Sequence, residues 1–326
     1  MCQTAAFYGE ALARYGFGGS HPFGTDRLDA FWRKLQSEDI ENIVIEEPVL
    51  GNEQDVLLFH DKEYVDLVRM ASKHGGVLLD KGDTPAFKGV FEASLSVVGS
   101  TLAALDMIVA GKDGKGTRID HAFNPIGGLH HARRDTAGGF CVFNDIGVAI
   151  IVAREKYGIK RVMYVDIDAH HGDGVFYEFE DDPLLFFADI HEDGRYLYPG
   201  TGFATETGKG EAAGTKLNIP LEPEAGDDEF VKAFSKVEQF VDSVKPELII
   251  LQCGADGLAG DPITHLHYSP KSHRHAADLL HQLAHKHCQG RIIALGGGGY
   301  NRTNIGAAWT EVVKSFAMGK ISTTHC

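Results

Sequence analysis

The chain has 326 residues, of which 43% are hydrophobic and 24% are charged. This composition is typical of a globular protein with ample core-forming material, and it excludes a disordered chain, collagen and a small disulfide-stapled fold. The formal net charge is −15, which argues against nucleic acid as a partner because a phosphate backbone requires a basic surface. A cationic or neutral ligand fits this charge better.

Cysteine usage and hydropathy indicate a cytoplasmic protein without a membrane partner. The five cysteines are scattered and form no C-x-x-C pair, so neither a disulfide framework nor a thiolate zinc knuckle is expected. The first residues show no basic segment followed by an apolar one. Apolar runs with glycine allowed, such as residues 146–153, are far shorter than the about 18 residues that a membrane span needs.

Short apolar runs alternate with longer segments of helical periodicity from residue 42 onward. Strands are predicted at 43–49, 119–123, 161–165, 184–190, 248–253 and 292–295, with a further apolar run at 57–59 that leads into a helical pattern around 64–68. Helices are predicted at 90–110, 144–157, 230–244, 272–287 and 304–316, and the Gly- and Thr-rich segment 199–226 is predicted to form surface loops.

Predicted strands such as those within VMYV, ELIILQC and RIIALGG are hydrophobic runs without alternation, which is typical of a parallel sheet covered on both faces. No linker, repeat or low-complexity segment interrupts the pattern. We therefore predict one layered α/β domain over residues 1–326.

Polar residues follow four of the predicted strands. They are the segment 166–173, Asp189, Asp256 and the segment 296–300. Because ligands of open parallel sheets bind beyond the carboxyl ends of the strands, we expect these residues to meet at one edge and to form the functional site.

The segment 166–174 (DIDAHHGDG) predicts a metal site. If the strand continues into it, Asp166, Asp168 and His170 project on one face with a period of two. Buried aspartates and histidines require a metal or a tight polar network. A catalytic zinc usually has three protein ligands, and Asp256 is the natural third ligand after Asp168 and His170.

Two further motifs complete the predicted chemistry. The adjacent His130 and His131 can act as general base or acid and as its electrostatic partner. The run Gly296 to Tyr300 (GGGGY) lacks the spacing of a nucleotide-binding loop. Its glycines instead allow the backbone to approach a narrow pocket, where the Tyr300 hydroxyl can hydrogen-bond a developing oxyanion.

Five motifs in this order, GGLHHARRDTAGGFC, YVDIDAHHGDG, YPGTG, LQCGADGLAGDP and GGGGYN, resemble the zinc-dependent histone deacetylase family. That family includes bacterial acetoin-utilisation proteins and acetylpolyamine amidohydrolases. The similarity covers about residues 27–309. It implies an arginase-like α/β fold with a parallel sheet of about eight strands flanked by helices. It also implies Zn²⁺ bound by Asp168, His170 and Asp256, with Fe²⁺ as the alternative metal in the cell.

The resemblance implies a role for each matching residue. His131 is the general base and acid, oriented by Asp173. His130, oriented by Asp166, is its electrostatic partner, and Tyr300 donates to the substrate carbonyl. The remaining matches contact substrate or product: Phe140 and Tyr198 as channel walls, Gly139 as acceptor for the amide N–H, Asp83 as a rim carboxylate and Arg27 at an inner acetate channel.

Three positions depart from the family pattern. Asp189 stands where relatives usually carry Ser or Thr, at a K⁺ site that would also involve Asp166, Asp168, His170 and Ile190. The added carboxylate implies either tighter binding of the cation or a rearranged site. Tyr198 replaces the more usual Phe, and Ile263 replaces the glutamate of a polyamine-selective relative.

Two other groups of residues are predicted to be structural. His273, His275, His281, His285 and His287 lie in one predicted helix, and we expect them on a solvated face because no cysteine or carboxylate accompanies the pair His281 and His285. Cys141 and Cys253 are expected to be small buried apolar residues.

The resulting hypothesis is a zinc amidohydrolase that removes acetyl or short acyl groups from lysine side chains of peptides or proteins. An acetylpolyamine or other small acetylated amine is the alternative substrate, and the negative charge fits either. A two-manganese arginase-like ureohydrolase is disfavoured because Ala255 occupies a place where another carboxylate is expected. A non-catalytic binding module is disfavoured because every catalytic residue is present. The oligomeric state is left open.

Overall fold

The computed structural model describes residues 2–319, and the strands within this range form one parallel sheet. The strands are β1 (Thr4–Phe7), β2 (Ile43–Glu46), β3 (His121–Asn124), β4 (Val162–Asp166), β5 (Leu185–Glu192), β6 (Lys216–Leu221), β7 (Leu248–Gln252) and β8 (Ile292–Leu295). Their order across the sheet is β2-β1-β3-β8-β7-β4-β5-β6. The predicted parallel sheet of about eight strands is confirmed.

The helices of the same range cover this sheet in two packed groups. They are α1 (Glu10–Ala13), α2 (Arg27–Gln36), α3 (Glu53–Val56), α4 (Lys62–Ser72), α5 (Val90–Ala110), α6 (Asp145–Tyr157), α7 (Asp173–Glu178), α8 (Asp227–Val244), α9 (Pro270–His287) and α10 (Arg302–Met318). In one group α2 packs against α10, α10 against α9 and α9 against α8, and the other group contains α4, α5 and α6. Every residue of β4 and β7 is buried, as two covered faces require.

Helix α5 is long and apolar enough, by length and composition, to cross a membrane. Most of its apolar window is buried inside the protein, where it packs against β3 and α6. This burial is typical of the core helix of a folded domain. The helix ends at Gly111, whose backbone is left-handed with φ 69°.

The structure corrects the sequence-based prediction in three places. The predicted loop segment 199–226 contains β6, an edge strand whose Lys216 and Pro220 are unusual in strands. Strand β1 was not predicted, because its four residues include two alanines and no apolar β-branched residue. Residues 57–59 form no strand and instead follow the short helix α3.

The sheet register brings the functional residues together. Asp166, the last residue of β4, pairs with Asp189 of β5 on one side and with Gln252 of β7 on the other. Gln252 in turn pairs with Leu295, the last residue of β8. The loops after β4, β7 and β8 therefore leave the sheet side by side at one edge.

Candidate active site

Asp168, His170 and Asp256 form a buried cluster just beyond the ends of β4 and β7. His170 Nδ1 lies 3.1 Å from Asp168 Oδ1 and 3.1 Å from Asp256 Oδ2. Ligands at about 2.0–2.1 Å from a tetrahedral ion would lie about 3.3 Å apart. The three side chains thus have the donor types and spacing of a three-ligand zinc site, and the structure brings together the set predicted from the sequence.

The electrostatics of this cluster favour a bound cation. Burial and the neighbouring Asp168 raise the pKa of Asp256 to about 7. Burial alone would lower the pKa of His170, but its hydrogen bonds to Asp168 and Asp256, together with their charges, raise it to about 10. The two buried carboxylates therefore require a positive charge between them, which a divalent ion would supply.

Neighbouring groups hold the three ligands in place. Gln252 Nε2 donates to Asp168 Oδ2 at 2.7 Å, and the Gly298 amide donates to the same oxygen at 2.8 Å. A Cβ atom at Gly298 would lie 2.2 Å from Asp256 Oδ2, so the glycine-rich loop approaches the cluster as predicted. Sequence reasoning missed Gln252, although its position at the end of an apolar strand was visible.

Two histidine–aspartate pairs lie beside the cluster. His130 Nδ1 is 2.8 Å from Asp166 Oδ2, and His131 Nδ1 is 2.7 Å from Asp173 Oδ1. The Nε2 atoms of the two histidines are 3.0 Å apart. Burial and the adjacent His130 lower the pKa of His131 to about 4, although Asp173 acts in the opposite direction. His131 is therefore a neutral imidazole, able to accept a proton, at neutral pH.

The aspartates of these pairs have further partners that were not predicted. Arg133 Nη2 donates to Asp173 Oδ2 at 2.9 Å. The Tyr164 hydroxyl donates to Asp166 Oδ2 at 2.5 Å. Both residues lie within the quoted motifs, but only the fold shows that their side chains reach the carboxylates.

A cavity of about 390 Å³ leads from the surface to this cluster. The predicted residues that line it are Asp83, His131, Gly139, Phe140, His170, Tyr198, Ile263 and Tyr300, and the lining not predicted includes His21 and Leu197. The ring centroids of Phe140 and Tyr300 are 5.7 Å apart. Gly139 has φ 50°, and a Cβ atom there would lie 2.3 Å from His131 Cδ2, so only glycine fits beside the imidazole.

Tyr300 and His131 lie where this cavity meets a void of about 10 Å³ at its inner end. A void of this size holds about one water molecule. Burial raises the pKa of Tyr300 well above its usual range, so its hydroxyl remains a hydrogen-bond donor.

Arg27 supports the glycine-rich loop at the inner end. It is fully buried, and its Nε and Nη2 atoms donate to the carbonyl oxygens of Gly299 and Gly297. Within the described part of the chain, its Nη1 atom has no hydrogen-bond partner. The lining of the small void includes Gly297 but not Arg27, so the inner acetate channel at Arg27 stays a prediction.

Asp189 lies directly beside Asp166, and both of its oxygens are engaged by the protein. Oδ1 is 2.6 Å from His191 Nδ1, and Oδ2 accepts from the Gly172 amide at 2.9 Å. Burial, Asp189 and Asp168 raise the pKa of Asp166 well above its usual range. Asp189 is thus held in a buried pair with His191. The K⁺ site at these residues and Ile190 stays a prediction.

Asp83 lies at the mouth of the cavity. Its backbone carbonyl is 3.1 Å from His21 Nε2. Partial burial and the nearby Asp80 raise the pKa of its carboxyl group. Asp83 therefore places one acidic side chain at the opening, which suits a cationic substrate, whereas both carboxylate oxygens of Asp80 accept hydrogen bonds from Gly82 and Thr84.

The expectation of a solvated histidine face on α9 is wrong. His273 and His281 are 0% and 1% exposed. His273 Nε2 is 2.9 Å from the Gly254 carbonyl oxygen, and His287 Nε2 is 2.6 Å from Asp242 Oδ1. The expectation fails because α9 packs between α8 and α10 and so buries these side chains. Cys141 and Cys253 are buried, as predicted.

Ala255 offers no ligand beside Asp256. Among the described residues, Asp168, His170 and Asp256 form the one group of side chains at this edge that could hold a metal. This arrangement gives no support to a two-manganese site.

Comparison with known proteins assigns a class to this fold and site. A model of the family described as "Histone deacetylase domain" matches residues 21–316, and the chain belongs to this family. Membership of this family supports a deacetylase activity for the chain, and a deacetylase is a hydrolase.

Individual relatives cover nearly the whole chain. The acetoin utilization protein AcuC of Bacillus subtilis (strain 168) is 38% identical over 97% of this chain and 81% of its own length. The protein of the same name from Staphylococcus aureus (strain MRSA252) is 34% identical over 97% and 82%. The crystal structure of the HDA15 HD domain matches with a TM-score of 0.88 and 27% identity, covering 99% of this chain and 91% of that one.

Proposed function

We propose that the protein is a zinc-dependent amidohydrolase that removes acetyl or short acyl groups from lysine side chains. The observation that carries this proposal is the Asp168–His170–Asp256 cluster at the inner end of the cavity, with His131 and Tyr300 where the cavity narrows. This cavity leads from the surface to the cluster and could admit a long, narrow substrate. The whole chain, residues 1–326, would act as one catalytic domain.

The residues present fit the metal that the family implies. One imidazole and two carboxylates at 3.1 Å spacing suit Zn²⁺, and Fe²⁺ is the alternative with the same donors. A divalent ion bound there would polarise the acyl carbonyl and lower the pKa of water.

The side chains of the protein then handle the protons and the developing charge. His131, neutral and oriented by Asp173, takes a proton from the attacking water. Tyr300 donates its hydroxyl hydrogen bond to the carbonyl oxygen as that carbon becomes tetrahedral. The protonated His131 returns the proton to the amine nitrogen as the C–N bond breaks. The net reaction adds water to the amide and releases a carboxylate and an amine.

The cavity fits an acylated lysine side chain. Phe140 and Tyr198 provide apolar walls for the aliphatic stem, and the Gly139 carbonyl can accept the amide N–H. Asp83 at the mouth can accept hydrogen bonds from a peptide backbone. Arg27 is buried behind the glycine-rich loop and interacts electrostatically with Tyr300 and Asp256, so its positive charge could stabilise the carboxylate product without touching it.

A small acetylated polyamine is the second candidate substrate. Asp83 lines the cavity at its outer opening, where it could bind the free cationic end of such an amine. Ile263, which also lines the cavity, adds no carboxylate there. For this reason we place acetyl-lysine first.

A substrate panel with metal-defined protein tests the proposal. Acetyl-lysine peptides are compared with N-acetylputrescine, N-acetylcadaverine and N-acetylspermidine, and kcat/KM is measured for each. We expect the peptides to react fastest. A strong preference for the small amines would reverse the order of the two candidates, and metal binding without turnover of any acylated amine would contradict the enzyme assignment.

A tyrosine variant tests the proposed role of the Tyr300 hydroxyl in the reaction. Tyr300→Phe removes one oxyanion donor and should lower kcat by about 100- to 1,000-fold while retaining the metal. Tyr196→Phe is the matched control, because Tyr196 is 51% exposed and does not line the cavity. Equal activity of the two variants would contradict the assigned role of Tyr300.

A further inference from the structure

A second buried cluster of metal-binding side chains lies at the opposite edge of the sheet. Cys2 precedes β1, and His121 is the first residue of β3. His281 and His285 are four residues apart on α9, so they project from one face of the helix. Because these strands are parallel and the residues lie at their amino ends, the cluster is at the edge away from the candidate active site.

The distances within the cluster fit tetrahedral coordination. The Nε2 atoms of His281 and His285 are 3.1 Å apart, and Cys2 Sγ lies 3.7 Å and 3.4 Å from them. With metal–nitrogen bonds of about 2.0–2.1 Å and a metal–sulfur bond of about 2.3 Å, a tetrahedron would have edges of about 3.3 Å and 3.6 Å. One ligand atom from each of the four residues lies within 4.8 Å of the others.

The side chain of His121 gives independent evidence that this cluster binds a metal. Its side chain is 0% exposed, and its Nδ1 atom is 2.9 Å from the Gly290 carbonyl oxygen. Its Nε2 atom has no hydrogen-bond partner among residues 2–319. A backbone carbonyl that fixes one ring nitrogen while the other stays free is the usual arrangement of a metal-binding histidine.

We propose that Cys2, His121, His281 and His285 form a second metal site, with Zn²⁺ as the best-fitting ion. One thiolate and three imidazoles are soft or borderline ligands, which favour zinc over magnesium or calcium. Four protein ligands leave no open position, so the site is structural. The ion would join the segment before β1 to β3 and α9, which are distant in sequence.

A cobalt titration tests this site separately from the active site. The protein is prepared without an affinity tag, since a histidine tag would bind metal, and is stripped with a chelator before Co²⁺ is added. A Co²⁺–thiolate bond gives a charge-transfer absorption, whereas Asp168, His170 and Asp256 contain no sulfur. We expect this absorption to reach saturation at one ion per chain, with further cobalt binding at the active site.

Variants identify the ligands. Cys2→Ser should abolish the charge-transfer absorption and lower the bound cobalt by one ion per chain. Cys288→Ser is the matched control, since Cys288 is also buried but lies outside the cluster, and it should retain the absorption. Cys326→Ser, at a position outside the described residues, should retain it too.

Two outcomes would overturn the proposal. One is cobalt binding to the unaltered protein without the charge-transfer absorption, which would leave the cluster as a hydrogen-bonded group without metal. The other is an absorption that survives Cys2→Ser. If Cys2→Ser does not fold, His285→Ala replaces a ligand that is only partly buried. It should weaken cobalt binding at the thiolate site at least tenfold, and unchanged affinity would contradict the proposal.

Discussion

Replacing Asp173 with asparagine tests whether the charge beside His131 drives the proposed reaction. Asp173 Oδ1 is 2.7 Å from His131 Nδ1. At a separation of about 4 Å between charge centres and an effective dielectric constant of about 20, the carboxylate stabilises a protonated His131 by about 4 kcal/mol. Since 1.36 kcal/mol corresponds to about a tenfold change in rate, losing this interaction would slow the reaction about 1,000-fold.

Arg133 reduces this figure, because its Nη2 atom donates to Asp173 Oδ2 at 2.9 Å and neutralises part of the charge. We therefore expect kcat of Asp173→Asn to fall by about 100- to 1,000-fold. Asparagine has nearly the same shape, so its amide oxygen can still accept from His131 Nδ1. The metal content should not change.

The assay measures kcat on an acetyl-lysine peptide with zinc-loaded protein, together with metal content and thermal unfolding. Asp106→Asn is the matched control, since Asp106 is a partly exposed carboxylate that pairs with Lys156 away from the cavity. It should leave kcat unchanged. The reasoning is refuted if Asp173→Asn retains its metal and more than a tenth of the original kcat.

Three further variants probe the metal cluster, the mouth and the core. Gly298→Ala places a Cβ atom 2.2 Å from Asp256 Oδ2 and should lower the amount of bound zinc at least tenfold. Gly114→Ala is the control, because Gly114 has open space around it, and it should retain the zinc. Equal metal contents in the two variants would contradict the packing argument. Ile263→Glu adds a carboxylate to the mouth of the cavity and should lower the KM for N-acetylspermidine several-fold at low salt. Ile263→Gln is the neutral control. If both variants lower the KM equally, the added charge is not the cause. Burial lowers the pKa of His60 from 6.5 to about 3, so the unfolded chain binds a proton below pH 6.5 that the folded protein does not, and stability falls as pH decreases from 6.5 towards 3. When the pH is lowered from 8 to 5, this histidine should reduce the free energy of unfolding by about 2 kcal/mol. Urea unfolding at the two pH values should show that His60→Gln lacks this loss. An identical pH dependence of both proteins would contradict the lowered pKa of His60.

The sheet and the active-site cluster could be predicted from the sequence because both depend on local patterns. Strands such as β4 and β7 are continuous apolar runs, and their polar residues follow directly after them. The rule that parallel strands deliver their carboxyl ends to one edge then brings Asp168 and Asp256 together. The structure was required for β1 and β6, which lack a continuous apolar pattern, and for side chains that cross between elements, such as those of Gln252 and Arg133.

The second cluster could not be predicted, because it depends on a strand that the sequence does not reveal. Thr4 of β1 pairs with His121 of β3, which places Cys2 near that histidine although 119 positions separate them in the chain. Without β1, Cys2 has no expected position. The pair His281 and His285 then lacks a partner, and a solvated helix face is the natural but wrong interpretation.

The narrow inner void sets the order in which products would leave the proposed enzyme. The void beyond Tyr300 has room for about one water molecule, so this part of the described structure is too small to take up the carboxylate while the glycine-rich loop keeps its conformation. The amine fills the outer cavity and stands between the carboxylate and the solvent, so it departs first. Steady-state kinetics would then show the carboxylate as a competitive product inhibitor and the amine as a noncompetitive one.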